Sequence, residues 1–438
     1  MAQTSKAGLI VFLLLLCSFI VNLGFSAFMP VFPYLVLAIK GVLKELPELS
    51  MEVRAYAGAI EFGALMAVFM AARAPTAFSS GFLSDFLGRR RMMVIGLILY
   101  FASSLGFVFS NTIPELLLFR ALQGIASGMV WPVAEAYLAD TTRRWQRGKA
   151  LSSYVASMLI AELVGPSIGV AIYKGWVAIY GPGDYLMALK SPAIFLAILS
   201  LASALTIFLI PDIGSRVRSG QMFKQGFKQV SSILRSLPPA ISRSLKVMYF
   251  NGVANGFALG ILQTAQAIYV IQYISKDPAF LGILFTVFAA SALPTTLLSG
   301  YISDRIKRRK PLVVMGYVVG RGALFIIPFI RDPVSFLALV IPMSATFGFS
   351  MPVMRALQAD LTPRHVRGTI FGLQQFFFNG GVFAGAILGG LLMRFLTPNY
   401  YRILGLILEG VVIPFWLTGF IGALTTILFV FYVIEPGI

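Results

Sequence analysis

Five charged side chains fall where charge is costly. Arg73, Arg120, Glu135, Glu162 and Arg355 lie inside or at the edge of long apolar stretches. An ionisable group in such a stretch is a functional site by default, because a charge removed from water must be paired, neutralised or used. Glu162 is the first candidate for proton chemistry, since a carboxyl in apolar surroundings has a raised pKa. A fixed guanidinium nearby, Arg120, would let protonation trade against an ion pair or a bound molecule. Glu162 lies fifteen residues beyond Arg147, roughly 22 Å along a helix. Arg73 lies twelve residues before Asp85, roughly 18 Å by the same rise. Both depths approach the middle of an apolar layer about 30 Å thick.

The elements that carry these groups follow from composition. The 438 residues are 58% hydrophobic and 12% charged. Soluble domains run at roughly 45–50% apolar and about 25% charged. Charge-rich and turn-rich breaks leave twelve apolar runs, at 8–39, 56–80, 92–110, 114–138, 150–174, 191–210, 246–274, 280–299, 311–330, 334–357, 369–396 and 403–433. Most are long enough for a helix to cross a bilayer. The expected fold is an all-α membrane protein of twelve transmembrane helices. The first run is far longer than the apolar region of a signal peptide and reads as a retained span, bent at its far end by Pro30 and Pro33. One cysteine (Cys17) and one histidine (His365) build neither a disulfide nor a metal site. No nucleotide-binding loop or nucleophile–base pair appears, so neither an enzyme nor a cofactor is expected.

Charge placement orients the chain. The loops at 81–91, 139–149, 211–246, 300–310 and 359–368 hold 21 basic and five acidic residues, against a net charge of +18 for the whole protein. Basic loops stay on the cytoplasmic side. These loops and both termini are therefore expected in the cytoplasm of a plasma-membrane protein. The basic excess serves orientation and contact with anionic headgroups, not nucleic acid. The longest polar stretch, 211–245, reads as a linker between two halves, 1–210 and 246–438. Part of it, FKQGFKQVSSILRSL, has helical apolar spacing suited to a membrane surface.

The halves repeat each other. GFLSD (81–85) answers GYISD (300–304), PVAEAYLADTTRRWQRG (132–148) answers PVMRALQADLTPRHVRG (352–368), and GPSIGV (165–170) answers GAILGG (385–390). Two parallel six-helix repeats suit alternating access around a site near mid-membrane. Glu135 and Arg355 are equivalent, each three residues after a proline. They set an acid and a base at symmetry-related positions, and the family resemblance below, which puts spans four and ten at the cavity, implies a gate pair. The swap Glu135→Arg with Arg355→Glu should then restore transport lost in each single variant, and no rescue would remove the pair.

These motifs resemble those of the major facilitator superfamily over essentially the whole chain. The loop signature G-x-L-x-D-x-x-G-R-R-R fits Gly81, Leu83, Asp85, Gly88 and Arg89–Arg91. The R-x-x-Q-G signature fits Arg120, Gln123 and Gly124. The pattern Asp-x6-Arg-Gly occurs at Asp140/Arg147 and Asp360/Arg367. Lys307 replaces the second loop glycine in the second copy. The span-five sequence GPSIG is similar to the antiporter signature of that superfamily, with Ala161 and Val170 in place of two glycines.

The resemblance implies two pseudo-symmetric six-helix bundles, spans one, four, seven and ten lining a cavity, and a monomer. It also implies a cytoplasmic charge latch, for which the candidates are Asp85, Arg89, Asp140, Arg147, Asp304, Arg308, Asp360 and Arg367. Asp85, with its intact glycine turn, is expected to matter more than Asp304. Amides and aromatics, namely Asn22, Phe25, Gln123, Asn251, Asn255, Gln263, Gln374 and Asn379, suit an apolar or amphipathic small molecule with a few hydrogen bonds. Arg321 and Glu409 read as structural. The expected function is proton-coupled export of small amphipathic or hydrophobic compounds across the bilayer, driven by the proton gradient. The alternative is proton-coupled import, or facilitated passage, of an organic anion met by the buried arginines.

Overall fold

Proline and glycine set most helix boundaries. The computed structural model describes residues 2–50, 52–142, 147–212, 238–306, 308–362, 367–403 and 405–435, with side chains at most of them. The first apolar run is two helices. α1 (Ala2–Phe28) stops before Pro30, and α2 (Phe32–Ile39) restarts with Pro33 in its first turn, where a missing N–H costs nothing. α3 (Ala59–Leu87) ends at Gly88, whose φ of 90° only glycine adopts readily. α4 (Arg89–Phe109) starts directly from that turn. α5 (Ile113–Thr141) opens on a capping box in which Thr112 and Glu115 exchange hydrogen bonds.

α6 (Arg147–Tyr180) and α7 (Tyr185–Phe208) complete the first six spans. α8 (Pro239–Tyr269), α9 (Pro278–Ile306), α10 (Lys310–Ile326), α11 (Pro333–Leu361), α12 (Arg367–Leu396) and α13 (Val412–Tyr432) supply the rest. Among the described residues, twelve helices are long and apolar enough to cross a membrane. Interior prolines such as Pro75, Pro132, Pro166 and Pro352 stay within continuous helices, as membrane-buried helices allow.

The last span is shorter than expected. Residues 403–411 do not extend it. β1 (Tyr400–Ile403) and β2 (Leu406–Glu409) pair antiparallel around Gly405, whose φ is 83°. An apolar run of that length does not distinguish strand from helix by periodicity. Glu409 consequently sits outside α13 and pairs with Arg331 at 2.6 Å. The amphipathic stretch FKQGFKQVSSILRSL lies outside the described residues.

The helices sort into two compact units. The first gathers Met1–Glu61, Val68–Ser219 and Lys276–Thr286; the second gathers Phe62–Ala67, Gly220–Ser275 and Val287–Ile438. Each therefore takes a short segment from the other half of the sequence. In the first, α1, α4, α5 and α7 close on Leu14, Cys17, Met93, Leu97, Val130, Tyr137 and Ile207. In the second, α8, α10, α11 and α13 close on Leu245, Met248, Val313, Leu357 and Phe429.

Glycine seams bring the first helix of each set against the fifth. A Cβ on Gly165 or Gly169 of α6 would stand 2.0 Å from Ser26 Oγ or 1.7 Å from the Ala27 carbonyl of α1. Gly256 and Gly260 of α8 and Gly385 of α12 meet backbone carbonyls across their seam in the same way. The GPSIG residues thus serve close helix packing.

The repeat is visible in three dimensions at the arginine-rich end of each unit. Arg89 pairs with Asp140 at 2.8 Å, and Arg309 pairs with Asp360 at 2.6 Å. Asp212 accepts from the Arg90 backbone N–H, and Glu435 accepts from those of Arg309 and Lys310. A carboxylate following the sixth helix of each set thus caps the N-terminus of the third, where the helix dipole favours negative charge. Residues 132–140 and 352–360 also share one sequence of buried, intermediate and exposed positions.

Candidate functional site

In the first unit, Arg120 is buried on α5. Its guanidinium donates to Gln123 Oε1 at 2.5 Å. Its carbon lies 4.6 Å from the Phe69 ring centre, 4.9 Å from Phe32 and 5.6 Å from Phe25. A cation among three ring faces is stabilised by their quadrupoles. α1, α2, α3 and α5 each contribute to this box, so three expected residues (Arg120, Gln123 and Phe25) come together. Gln123 is committed to the arginine. Asn22 is buried on α1, where its amide donates to Ser18 O at 2.9 Å. Arg73 is half-buried on α3.

Glu162 is exposed on α6. The α1 seam uses Ala161, Gly165 and Gly169. Glu162 shares a face with Pro166 and Val170, one and two turns on. Those two residues meet Gly282 of α9 within the first unit, and Ser167 bonds Thr286 at 3.1 Å. Glu162 thus stands about one turn before these contacts, outside the α1 seam.

In the second unit the amides are differently employed. Arg321 of α10 donates to Asn255 Oδ1 at 2.6 Å, to the Gly422 carbonyl and to Thr426. It stacks on Tyr317, 4.0 Å from the ring centre. Asn255 in turn donates to Asn251 at 3.0 Å, and Asn251 reaches the Tyr317 hydroxyl at 3.4 Å. Asn255, backed by Asn251, therefore holds a half-buried arginine between α8, α10 and α13. Desolvated guanidinium N–H groups need acceptors, and Asn255, one of the residues expected to meet substrate, supplies one. Arg321, read as structural from the sequence, is the centre of that network. Gln374 donates to Met248 O at 3.1 Å across the α8–α12 seam, and Gln375 donates to Asn379 at 3.1 Å. Gln263 is exposed on α8. An apolar crease of about 330 Å³ between α8, α12 and α13 is lined by Phe250, Phe257, Phe376, Phe377, Gly380 and Ile421, among others.

The charge clusters also differ in detail from expectation. The second-unit bridge uses Arg309, whereas Arg308 is exposed. The repeat runs at an offset of 219 residues up to Asp304 and 220 from Arg309 onward, so Arg309 is the partner of Arg89. The extra residue falls where Lys307 replaces the turn glycine. Both bridges close within their own unit. The side chains of Asp85, Arg147, Asp304 and Arg367 lie outside the described residues. Glu135 and Arg355 occupy equivalent exposed positions on α5 and α11. The cluster of Lys174, Glu48 and Asp277 was not singled out from the sequence, because its members lie far apart along the chain and in no motif.

Comparison with known proteins fits this architecture. The chain matches the description Major Facilitator Superfamily over residues 14–246 and 248–437. It is 20% identical over 351 residues to Multidrug resistance protein 2 of Bacillus subtilis, covering 78% of this chain and 84% of that protein. It is 23% identical over 363 residues to Quinolone resistance protein NorA of Staphylococcus aureus, covering 81% and 86%. Among solved structures, the D-xylose-proton symporter aligns with a TM-score of 0.72 at 17% identity, covering 97% of this chain and 98% of that one. The nucleoside transporter NupG aligns with a TM-score of 0.71 at 12% identity, covering 96% and 99%. With motifs, twelve spans, a repeated architecture and a family match along nearly its whole length, this chain belongs to the Major Facilitator Superfamily and is a multi-pass membrane transporter.

Proposed function

We propose that this transporter exports small amphipathic or hydrophobic compounds in exchange for protons, by alternating access. The carrying observation is Glu162, an exposed carboxyl well inside the α6 span. Three further features support the reading. Relatives named for multidrug and quinolone resistance align with most of the chain. The crease in the second unit is lined almost wholly by aromatic and aliphatic side chains. Arg120 is wrapped in rings and bonded to Gln123, which suits a fixed cation better than a docking point for an anion.

On this reading the basic loops and both termini face the cytoplasm, and the proton gradient drives the cycle without a cofactor. The second reading, proton-coupled import or facilitated passage of an organic anion, is favoured by one observation: Arg355 is an exposed cation within a span. Flux into proteoliposomes under an imposed pH gradient separates the two. A fluorescent lipophilic cation should move opposite to the protons. An aromatic carboxylate moving with them, and no movement of the cation, would establish the second reading instead.

A further inference from the structure

At the end of the first unit opposite the Arg89–Asp140 bridge, four segments converge. The stretch between α2 and α3 is a strap that buries Leu43, Leu46 and Val53. It carries Glu48. The last turns of α6 carry Tyr173 and Lys174, α2 carries Tyr34, and the entry to α9 carries Lys276 and Asp277. Lys174 Nζ donates to Asp277 Oδ2 at 2.8 Å and lies 3.8 Å from Glu48 Oε1. The Glu48 and Asp277 carboxyl groups thus converge on one lysine, close enough together to share a proton. Asp277 Oδ1 also accepts from the Ala279 N–H at 2.7 Å, capping α9, and Lys276 donates to Ser50 O at 2.8 Å. The α6–α9 contact then continues inward through Gly282 and Thr286.

We propose that Glu48, Asp277 and Lys174 form a proton-operated latch, in which a proton shared by the two carboxyl groups holds the first turns of α9 against α6 and the strap. Two carboxyl groups can hydrogen-bond each other only when one is protonated. With that proton in place the cluster carries one negative charge against one lysine. Without it, two negative charges face one cation, and they repel.

The electrostatics agree. Burial raises the Glu48 pKa above the usual glutamate range, the charge and hydrogen bond of Asp277 raise it further, and Lys174 opposes them. A carboxyl whose pKa is raised in the closed arrangement favours closure while protonated. That contribution is complete below its ordinary pKa and is lost as pH rises through the raised one. Tyr34 and Tyr173, which also face the cluster, are buried phenols, and Lys276 beside Asp277 is a second cation, held on the Ser50 carbonyl. An ordinary phenol keeps its proton over the range in which a carboxyl titrates. On the orientation proposed above, this end faces away from the cytoplasm, so the latch would sense external pH. It does not use Glu162 and goes beyond the antiport reading.

The test is pulsed-EPR distance measurement on the full chain in lipid nanodiscs. Spin labels go on Leu49→Cys and Ile283→Cys, both exposed, in a Cys17→Ser background. From pH 5 to 9 the short-distance population should fall as pH rises. Glu48→Gln, which keeps a donor without a titrating charge, should hold that population nearly constant across the range. Lys174→Gln should lower it at every pH. Glu162→Gln should leave the pH dependence in place, so that failure of the antiport reading and failure of the latch are separate results. A pH-invariant parent, or an undiminished pH dependence in Glu48→Gln, would overturn the proposal.

Discussion

Glu162→Gln is expected to abolish uphill transport while leaving substrate exchange across the membrane intact. The side chain keeps its size and its place on α6 beside Pro166, but it no longer carries a proton. A pH difference of one unit is worth about 1.4 kcal/mol per proton. That supports a roughly tenfold substrate gradient for one-for-one exchange. The parent protein in proteoliposomes should approach that gradient, and the variant should hold none. Counterflow, in which labelled substrate enters against unlabelled substrate at equal pH, should continue in both. Uphill flux equal to the parent's would remove Glu162 as the coupling site.

Gly169→Ala is expected to damage the fold far more than its single added carbon suggests. The new Cβ would meet the Ala27 carbonyl oxygen at 1.7 Å and the Ala27 Cα at 2.9 Å, both backbone atoms that cannot swing aside. Overpacking in a tight interior costs about 1–3 kcal/mol, occasionally more. Here relief requires α1 and α6 to separate. Gly175 is the internal control: on the same helix, its added Cβ would meet nothing within 4 Å. Gly175→Ala should therefore be neutral or slightly stabilising, since alanine favours helix over glycine. Thermal unfolding of the two variants in detergent would read the difference, and equal midpoints would mean that the seam is not close-packed.

Much of this architecture could be read from residue order, because its causes are local or periodic. Apolar run length locates nearly every span, and the twin motifs show the doubling in the sequence itself. Arg120 and Gln123 were found through a motif, and the structure adds the ring box around them, assembled from four helices. The differences from expectation have separate physical sources. Asn255 carries no sign in the sequence that its oxygen meets Arg321, on another helix. Arg308 looked like the partner of Arg89 because one inserted residue shifts the register by a single step. Glu409 was assigned to a helix because an apolar hairpin and an apolar span have similar composition. Only the first depends on which helices become neighbours, and spacing within one helix carries no record of that.

The shared burial profile of 132–140 and 352–360 has a historical meaning. A doubled gene begins with two identical halves, and packing then limits what either may change. Buried and exposed positions have stayed in step along this stretch, and Asp140 and Asp360 still answer each other. Glu135 and Arg355, exposed and equivalent, carry opposite charge. One shared skeleton thus presents opposite charges at equivalent exposed places, so the two halves are alike in packing and unlike in sign.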